Sequence, residues 1–479
     1  MKKMKLLLSA FFVFALFTTL TPGQTINVTV AQGLNAAIDF ANGGNADTLV
    51  LVDDGGIYYC NATSILSPMT IKGRDGAVTQ PIIVPKNSLA ARWLWVRKNF
   101  TLMNLTIDGY DPVAAKYDSC RYVMQVSDSA GMPDVKAFDV TIKNIYRYAD
   151  PQFSTDGTIF DIATNARAGD VHFERCTFAN TGDEALRSIN THKTPVHPTN
   201  NCWTSFTVRN CTFINIRGSS MKIESDGDST TVDNPVLIEN CTFYGCYRRV
   251  IWEREFTNSI MRNLLITYSI TGNDNFGGAG SLVSFEREGS TLANVDSFAC
   301  VRVVGTDTVR LPDGAYRADV PSSWSFCWGR GTIDSTTLYG IDPQFADPEN
   351  WDFTIPQGNA LRTLGHDGLG IGDRRWTGQL SGIREIDNGQ IPNEFTLSQN
   401  YPNPFNPQTN IQFSLSQAGN VSLTVFNVVG EEVAVLVDGF KNSGNYEYTF
   451  DSKGLSSGVY FYTLKTSEFV STKKMILMK

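Results

Sequence analysis

Three side chains of unlike chemistry, Arg187, Lys222 and Trp252, each lie eleven residues beyond a cysteine (Cys176, Cys211 and Cys241) and directly after an apolar residue (Leu186, Met221 and Ile251). In extended chain this alternation turns the apolar partner inward and the named residue outward. Phe285-Glu-Arg-Glu288 echoes Trp252-Glu-Arg-Glu255. One face is therefore expected to carry Arg187, Lys222, Trp252 and Phe285 on successive rungs, with Glu224, Arg254 and Arg287 beside them. Aromatic rings among cations suit an acidic sugar polymer: the apolar face of a sugar stacks on an indole, while Arg and Lys hold carboxylates. Cleavage of such a polymer by β-elimination needs a base for the carbon-bound proton beside the carboxylate and a cation to neutralise that carboxylate. Lys222 and Arg254 are the expected catalytic pair, and Arg187, Glu224, Trp252, Phe285 and Arg287 the expected substrate contacts. Calcium is an alternative source of the neutralising charge. The plainer reading of the same residues is a solvated ladder of mixed charge.

An internal repeat is what would align these residues. Asn104-Leu-Thr-Ile107, Asp139-Val-Thr-Ile142, Arg175-Cys-Thr-Phe178, Asn210-Cys-Thr-Phe213, Asn240-Cys-Thr-Phe243 and Asn263-Leu-Leu-Ile266 share an apolar-polar-apolar pattern. Asn144, Asn180 and Asn215 follow two residues after the last apolar position. No such run can bury its apolar side alone, and stacked coils solve this, with loops of variable length absorbing the uneven spacing. The expected fold class is all-β, a right-handed parallel β-helix (solenoid). Cys176, Cys211 and Cys241 are expected to stack inside as free thiols. The Asn-X-Thr triplets at Asn104, Asn210 and Asn240 read as turn chemistry more than as glycosylation acceptors. Leu34, Ala37, Ile38 and Ala41 have helical spacing and suit a cap over the first coil.

With Thr48–Val52 and Met69–Gly73 as opening strands, and with Asp342-Pro-Gln-Phe345, Trp351-Asp-Phe353 and Gly370-Ile-Gly-Asp373 to Trp376 as a closing segment, residues 24–376 resemble pectate-lyase-like β-helix proteins of bacteria. Lys222 with Arg254 one coil later resembles the Lys and Arg pairing of the chondroitinase B and alginate lyase family, whose Asn and Glu calcium ligands have no assigned counterpart here. Asp226-Gly-Asp228 offers calcium-type oxygens but reads as a turn. Polygalacturonase-like hydrolases of the same fold carry a Gly-His-Gly, and none of the four histidines lies between glycines. A non-catalytic carbohydrate-binding or adhesive protein is the remaining alternative, since one fold serves all three roles.

The ends set the compartment. Lys2, Lys3 and Lys5, then an apolar run from Leu6 to Leu20, read as a signal peptide over 1–23. Residues 377–396 are polar, with Gly and Pro, and read as a linker. From 397 to 479 a strand-rich module opens with Asn400-Tyr-Pro-Asn-Pro-Phe-Asn-Pro407 and carries Val428-Val-Gly430, Leu455-Ser-Ser-Gly-Val-Tyr460 and Lys473-Lys-Met475. It resembles the type A sorting domain of the type IX secretion system. That resemblance implies an immunoglobulin-like β-sandwich read by the secretion machinery, export across an outer membrane, and removal of the tail. The net charge is −8. Setting aside the three signal lysines and the neutral module 397–479 leaves about −11 on residues 24–396, a balance opposite to that of a nucleic-acid binder. No further stretch is apolar enough to span a membrane, so the mature chain is expected to have no transmembrane segment.

Overall fold

The computed structural model describes residues 24–86, 92–118, 120–127, 131–147, 151, 156–163, 166–188, 203–224, 236–246, 250–254, 259–267, 283–286, 300–303, 309–310, 316–317, 327–328, 338–339, 343–363, 370–378, 382–386, 392, 394–417, 419–441, 443–452, 455–466 and 468–478. The chain divides into two compact units, Met1–Gly378 and Gln379–Lys479.

The first unit is a parallel β-solenoid. One coil shows the plan: Asp170–Glu174 lies in a first sheet, Thr177–Thr181 in a second and Leu186–Ser188 in a third. The next coil repeats it as Ser205–Arg209, Thr212–Ile216 and Met221–Glu224, each strand parallel to its predecessor. Among the described residues the three sheets hold nine, ten and nine strands. They are called sheets 1, 2 and 3 below.

The turn chemistry of the repeat explains its regularity. A single residue with positive φ joins sheet 1 to sheet 2 in six coils: Asn104, Asp139, Arg175, Asn210, Asn240 and Asn263, all between 51° and 56°. Asn and Asp tolerate this left-handed conformation best, because a short polar side chain offsets part of its steric cost. Asn144, Asn180 and Asn215 bend sheet 2 in the same way. Their side chains form a ladder, Asn215 Nδ2 donating to Asn180 Oδ1 (3.2 Å) and Asn180 Nδ2 to Asn144 Oδ1 (3.1 Å). Asn144 Nδ2 continues it to Asp108 Oδ1 (2.8 Å). At the next coil Gly245 takes the conformation with φ 62°. The Asn-X-Thr triplets are thus corners of the coil.

Inside, Ile142, Phe178, Phe213, Phe243 and Ile266 form one column by register. The rings of Phe178 and Phe213 are 5.1 Å apart and those of Phe213 and Phe243 4.8 Å. Cys176, Cys211 and Cys241 are buried free thiols, and the Cys176 amide donates to Cys211 Sγ at 3.4 Å. Burial pushes the Cys211 and Cys241 thiols well above their ordinary range. The helix Leu34–Asn42 buries Leu34, Ala37, Ile38 and Ala41 against the first coils. The solenoid begins earlier than Thr48, since Thr25–Val28 already pairs with Thr48–Leu51.

The closing segment does not sit on the end of the stack. Residues 343–363 and 370–378 lie back over the outer side of sheet 2 as a belt. Phe353 packs on Ala179 and Ile214, with Phe345, Trp351, Trp376 and Tyr244 around it. The belt reads a row of threonines: Thr212 Oγ1 donates to Asp373 Oδ2 (2.6 Å) and accepts from Trp376 Nε1 (2.8 Å), and Thr242 Oγ1 accepts from the Asp373 amide (2.8 Å). Arg375 donates to the carbonyls of Arg175 (2.8 Å) and Cys176 (2.9 Å).

In the second unit two four-stranded antiparallel sheets enclose one apolar core. The first sheet runs Gly382–Ile386, Gly444–Asp451, Gln408–Leu415, Thr396–Leu397. The other runs Glu432–Lys441, Gly419–Phe426, Gly458–Lys465, Val470–Leu477. Ile411 and Phe413 meet Leu423, Val425, Tyr462 and Met475 between them. The stretch 377–396, expected to be linker throughout, supplies an edge strand: Gly382–Ile386 pairs with Gly444–Asp451, Ile383 opposite Tyr448. Backbone pairing suffices for an edge, so a short polar strand carries little hydrophobic signal.

Candidate functional site

Sheet 3 carries the residues singled out by the sequence, and the coil's longest connections flank it on both sides. Its register places Ser64, Trp95, Gln125, Asp161, Arg187, Lys222, Trp252, Ser284 and Trp328 in one row, one per rung. Arg187, Lys222 and Trp252 are therefore brought together as expected. Glu224 and Arg254 are paired in register two positions along. Phe285 is displaced from its expected place: Ser284 stands opposite Trp252, and Phe285 stands opposite Glu253, in register with Ile223. The echo between the two aromatic-Glu-Arg-Glu stretches is off by one residue in register. Arg287, the Asp226-Gly-Asp228 turn and the signal segment lie outside the described residues.

Upstream of Lys222 the row becomes a linked polar network. Gln125 Nε2 donates to Asp161 Oδ2, and Arg187 Nε donates to Asp161 Oδ1 at 2.8 Å. Arg187 Nη2 donates to Tyr122 Oη (2.5 Å) and Nη1 to Glu184 Oε2 (3.5 Å), with Asp183 Oδ2 at 3.9 Å. The guanidinium also lies 5.0 Å from the centre of the Tyr122 ring. Burial alone would favour the neutral form of Arg187, but Asp161 and Glu184 outweigh it and hold the guanidinium firmly protonated. With its side chain only 12% exposed, Arg187 is occupied by its own chain. The expectation that it grips a substrate carboxylate gives way to a role in fixing Asp161, Glu184 and Tyr122.

The network is built on a glycine corner. Gly157 precedes the strand Thr158–Ile162, Gly182 precedes Asp183, and Gly218 precedes Met221–Glu224. The Asp183 amide donates to the Gly157 carbonyl (3.2 Å) and the Gly218 amide to the Asp183 carbonyl (3.2 Å). A Cβ on Gly218 would stand 2.6 Å from the backbone of Asp183 and Glu184, so only glycine lets the coils close here. This close stacking buries the acidic pair. Burial, then the neighbouring Glu184 charge, push the Asp183 carboxyl up to about 8. Both causes favour the protonated form of Asp183 over its carboxylate.

Cations sit above these carboxylates. Asp156, buried at the same corner, binds Arg121 Nε (2.8 Å) and Arg147 Nη1 (3.0 Å), whose side chains remain substantially exposed. At the N-terminal end of the row Trp95 is 37% exposed. The guanidinium carbons of Arg92 and Arg97 lie 5.5 and 5.7 Å from its ring centre. Two buried oxygens on adjacent rungs, Gln125 Oε1 and Thr158 Oγ1, have no hydrogen-bond partner among the described residues. Among the described residues no group of three His, Cys, Asp or Glu side chains could hold a metal ion.

Sequence reasoning missed Tyr122, Gln125, Asp161, Asp183 and Glu184. The signal for the last two was the acidic doublet placed directly before Ala185-Leu186-Arg187.

The tail is decided by its strand order and motifs. Residues 399–478 match the secretion system C-terminal sorting domain. The sorting domain marks the chain for export across the outer membrane to the secreted or cell-surface state, through the type IX machinery. Its opening loop is pinned to the last strand, the Phe405 amide donating to Ile476 O (3.0 Å) and the Met478 amide to Phe405 O (3.0 Å). No curated protein matches the chain. Among the described residues no helix is long and apolar enough to cross a membrane.

Proposed function

We propose that the exported solenoid binds an acidic polysaccharide along the outer face of sheet 3. The observation that carries this reading is the layering of charge. The carboxylates of Asp156, Asp161 and Glu184 are buried, while Arg92, Arg97, Arg121 and Arg147 stand nearer the solvent. An approaching polyanion meets cations first, although the domain as a whole is acidic. From Trp95 to Trp252 the row spans five rung spacings, about 24 Å, long enough for several sugar units with an aromatic position at each end. In the catalytic form of the proposal Lys222 takes the carbon-bound proton beside the uronate carboxylate. Arg254, on the next rung, neutralises that carboxylate; the bond to the glycosidic oxygen breaks as the double bond forms, and that oxygen leaves with a proton taken from the solvent.

A second reading, non-catalytic binding or adhesion, is favoured by the saturation of Arg187, which makes the centre of the row a structural lock.

The test is incubation of the full chain with pectin, alginate and a glycosaminoglycan, following binding by affinity electrophoresis and cleavage by ultraviolet absorbance of unsaturated products. Trp252→Ala is expected to weaken binding about tenfold, the scale of one lost stacking contact. Lys222→Ala is expected to abolish product and spare binding. Unchanged affinity of Trp252→Ala for every glycan that the parent binds, or no binding at all, refutes the reading. Binding without product selects the adhesive form.

A further inference from the structure

The sorting domain carries an exposed apolar feature that its own fold does not require. Between the strands Gly419–Phe426 and Glu432–Lys441 the chain turns through Asn427-Val428-Val429-Gly430-Glu431. Val428 and Val429 are 67% and 74% exposed, among the most exposed large apolar side chains of the described chain. Hairpin turns are normally polar. Two β-branched apolar residues at a tip gain nothing from folding.

The turn is nevertheless held rigidly. Asn427 Oδ1 accepts from the amides of Val429 (3.0 Å) and Glu431 (3.0 Å), and Asn427 Nδ2 donates to Glu431 Oε2 (2.8 Å). The Gly430 amide donates to Asn427 O (3.1 Å) and the Asn427 amide to Glu431 O (3.0 Å). Gly430 has φ 81°, which a β-carbon would strain. Five hydrogen bonds thus fix a short turn whose product is the outward presentation of two valines. Such preorganisation lowers the ordering cost of binding.

Register places this tip with a third exposed apolar residue. Phe426 lies opposite Phe461, and Phe461 opposite Lys474, while Gly458 lies opposite Leu477. The tip therefore extends toward the end of the sheet where Met478 emerges, and Val470 begins the last strand at the opposite end. Glu431 and Glu432, both exposed, follow the valines directly.

We infer that the turn 427–431 is a docking knob through which the secretion machinery holds the sorting domain. Val428 and Val429 enter an apolar pocket of the machinery, and Glu431 and Glu432 meet a cationic rim. The occupant is set by the domain itself: a sorting domain must be read by that machinery, and this turn is a rigid, solvent-facing apolar protrusion of it, as Tyr401 is at the opening loop. The inference stands apart from the glycan reading and concerns only the tail.

The test uses the full chain in its own host, comparing periplasmic with surface and medium fractions. Val428→Ser with Val429→Ser is expected to weaken docking by about tenfold per buried valine and to accumulate in the periplasm. Val470→Ser, at the other end of the sheet, is expected to export like the parent. The purified serine pair should keep the parent's thermal transition, because neither side chain is packed. If that transition falls, Val429→Lys decides instead, and its normal export overturns the knob. Parental export of the serine pair, or equal trapping of Val470→Ser, also overturns it.

Discussion

Asp183→Asn is the sharpest probe of the corner that organises sheet 3. In the folded chain the Asp183 carboxyl is pushed from 3.8 to about 8, first by burial and then by the Glu184 charge. The folded chain therefore binds this proton more tightly than the unfolded chain does. The stability contributed by the proton is whole below the ordinary carboxyl range and is lost as pH rises from about 4 through about 8. At about 1.4 kcal/mol per pH unit, that interval sets a ceiling of about 6 kcal/mol. The side chain keeps 18% of its exposure, and solvent screening brings the expected loss to about 2–3 kcal/mol. The side-chain amide of the D183N variant carries no charge at any pH and still offers an N–H to Glu184. Parent and variant should coincide near pH 4, and the variant should be the more stable at pH 9. The measurement is the urea midpoint of the solenoid transition in both proteins at pH 4, 6, 8 and 9. Titrating groups not coupled to Asp183 cancel in the difference. A difference that stays constant across this range refutes the argument that burial and Glu184 raise the Asp183 carboxyl.

Two further outcomes follow from contacts described above. Arg187→Ala removes a cation shared by Asp161 and Glu184, both buried, and should cost about 3–5 kcal/mol in denaturant unfolding at neutral pH; a loss under about 1 kcal/mol would mean that the network does not depend on this cation. Gly372→Ala places a Cβ 2.6 Å from Thr242 Oγ1 and 2.8 Å from Leu265 Cβ at φ 84°, so at least about 1–2 kcal/mol of strain should loosen the belt, seen as faster proteolysis within 343–378 and unchanged if the belt is held elsewhere.

The coil architecture was legible because the repeat writes its own geometry. Each corner needs a left-handed residue, so Asn104, Asn210, Asn240 and Asn263 recur beside an alternating apolar pattern. The three-rung stretch of the site was legible for the same reason: eleven residues separate Cys176, Cys211 and Cys241 from Arg187, Lys222 and Trp252. Earlier coils reach the same row later, at Gln125, twenty residues past Leu105, and at Asp161, twenty-one past Val140. Inserted loops changed the offset without changing the rung. Fixed spacing could not follow them, and the carboxylate half of the site stayed hidden. The belt was visible as a motif but not as a position, since its partners Thr212 and Arg175 lie more than 160 residues away. Such pairings leave no local periodicity to read. In the sorting domain, register shifts at Leu423/Thr424 and Val425/Phe426 opposite Glu432–Lys441 break the alternation that would announce that strand.

The belt also decides where mechanical load travels. A simple stack of coils pulled from its C-terminal end peels one rung at a time, because each coil is held only by its neighbours. Here the chain leaves sheet 2 at Leu338–Tyr339, turns back, and is clamped at Arg175, Thr212 and Thr242 before it exits at Gly378. Tension applied through the sorting domain reaches those clamps first. It loads their hydrogen bonds and the Phe353 contact together, in shear, and passes into the middle of the solenoid. The strands Cys300–Val303 and Leu338–Tyr339 precede this anchorage in the chain. A chain held by its tail at an export apparatus would thus keep its last coils slack while its central coils carry the force.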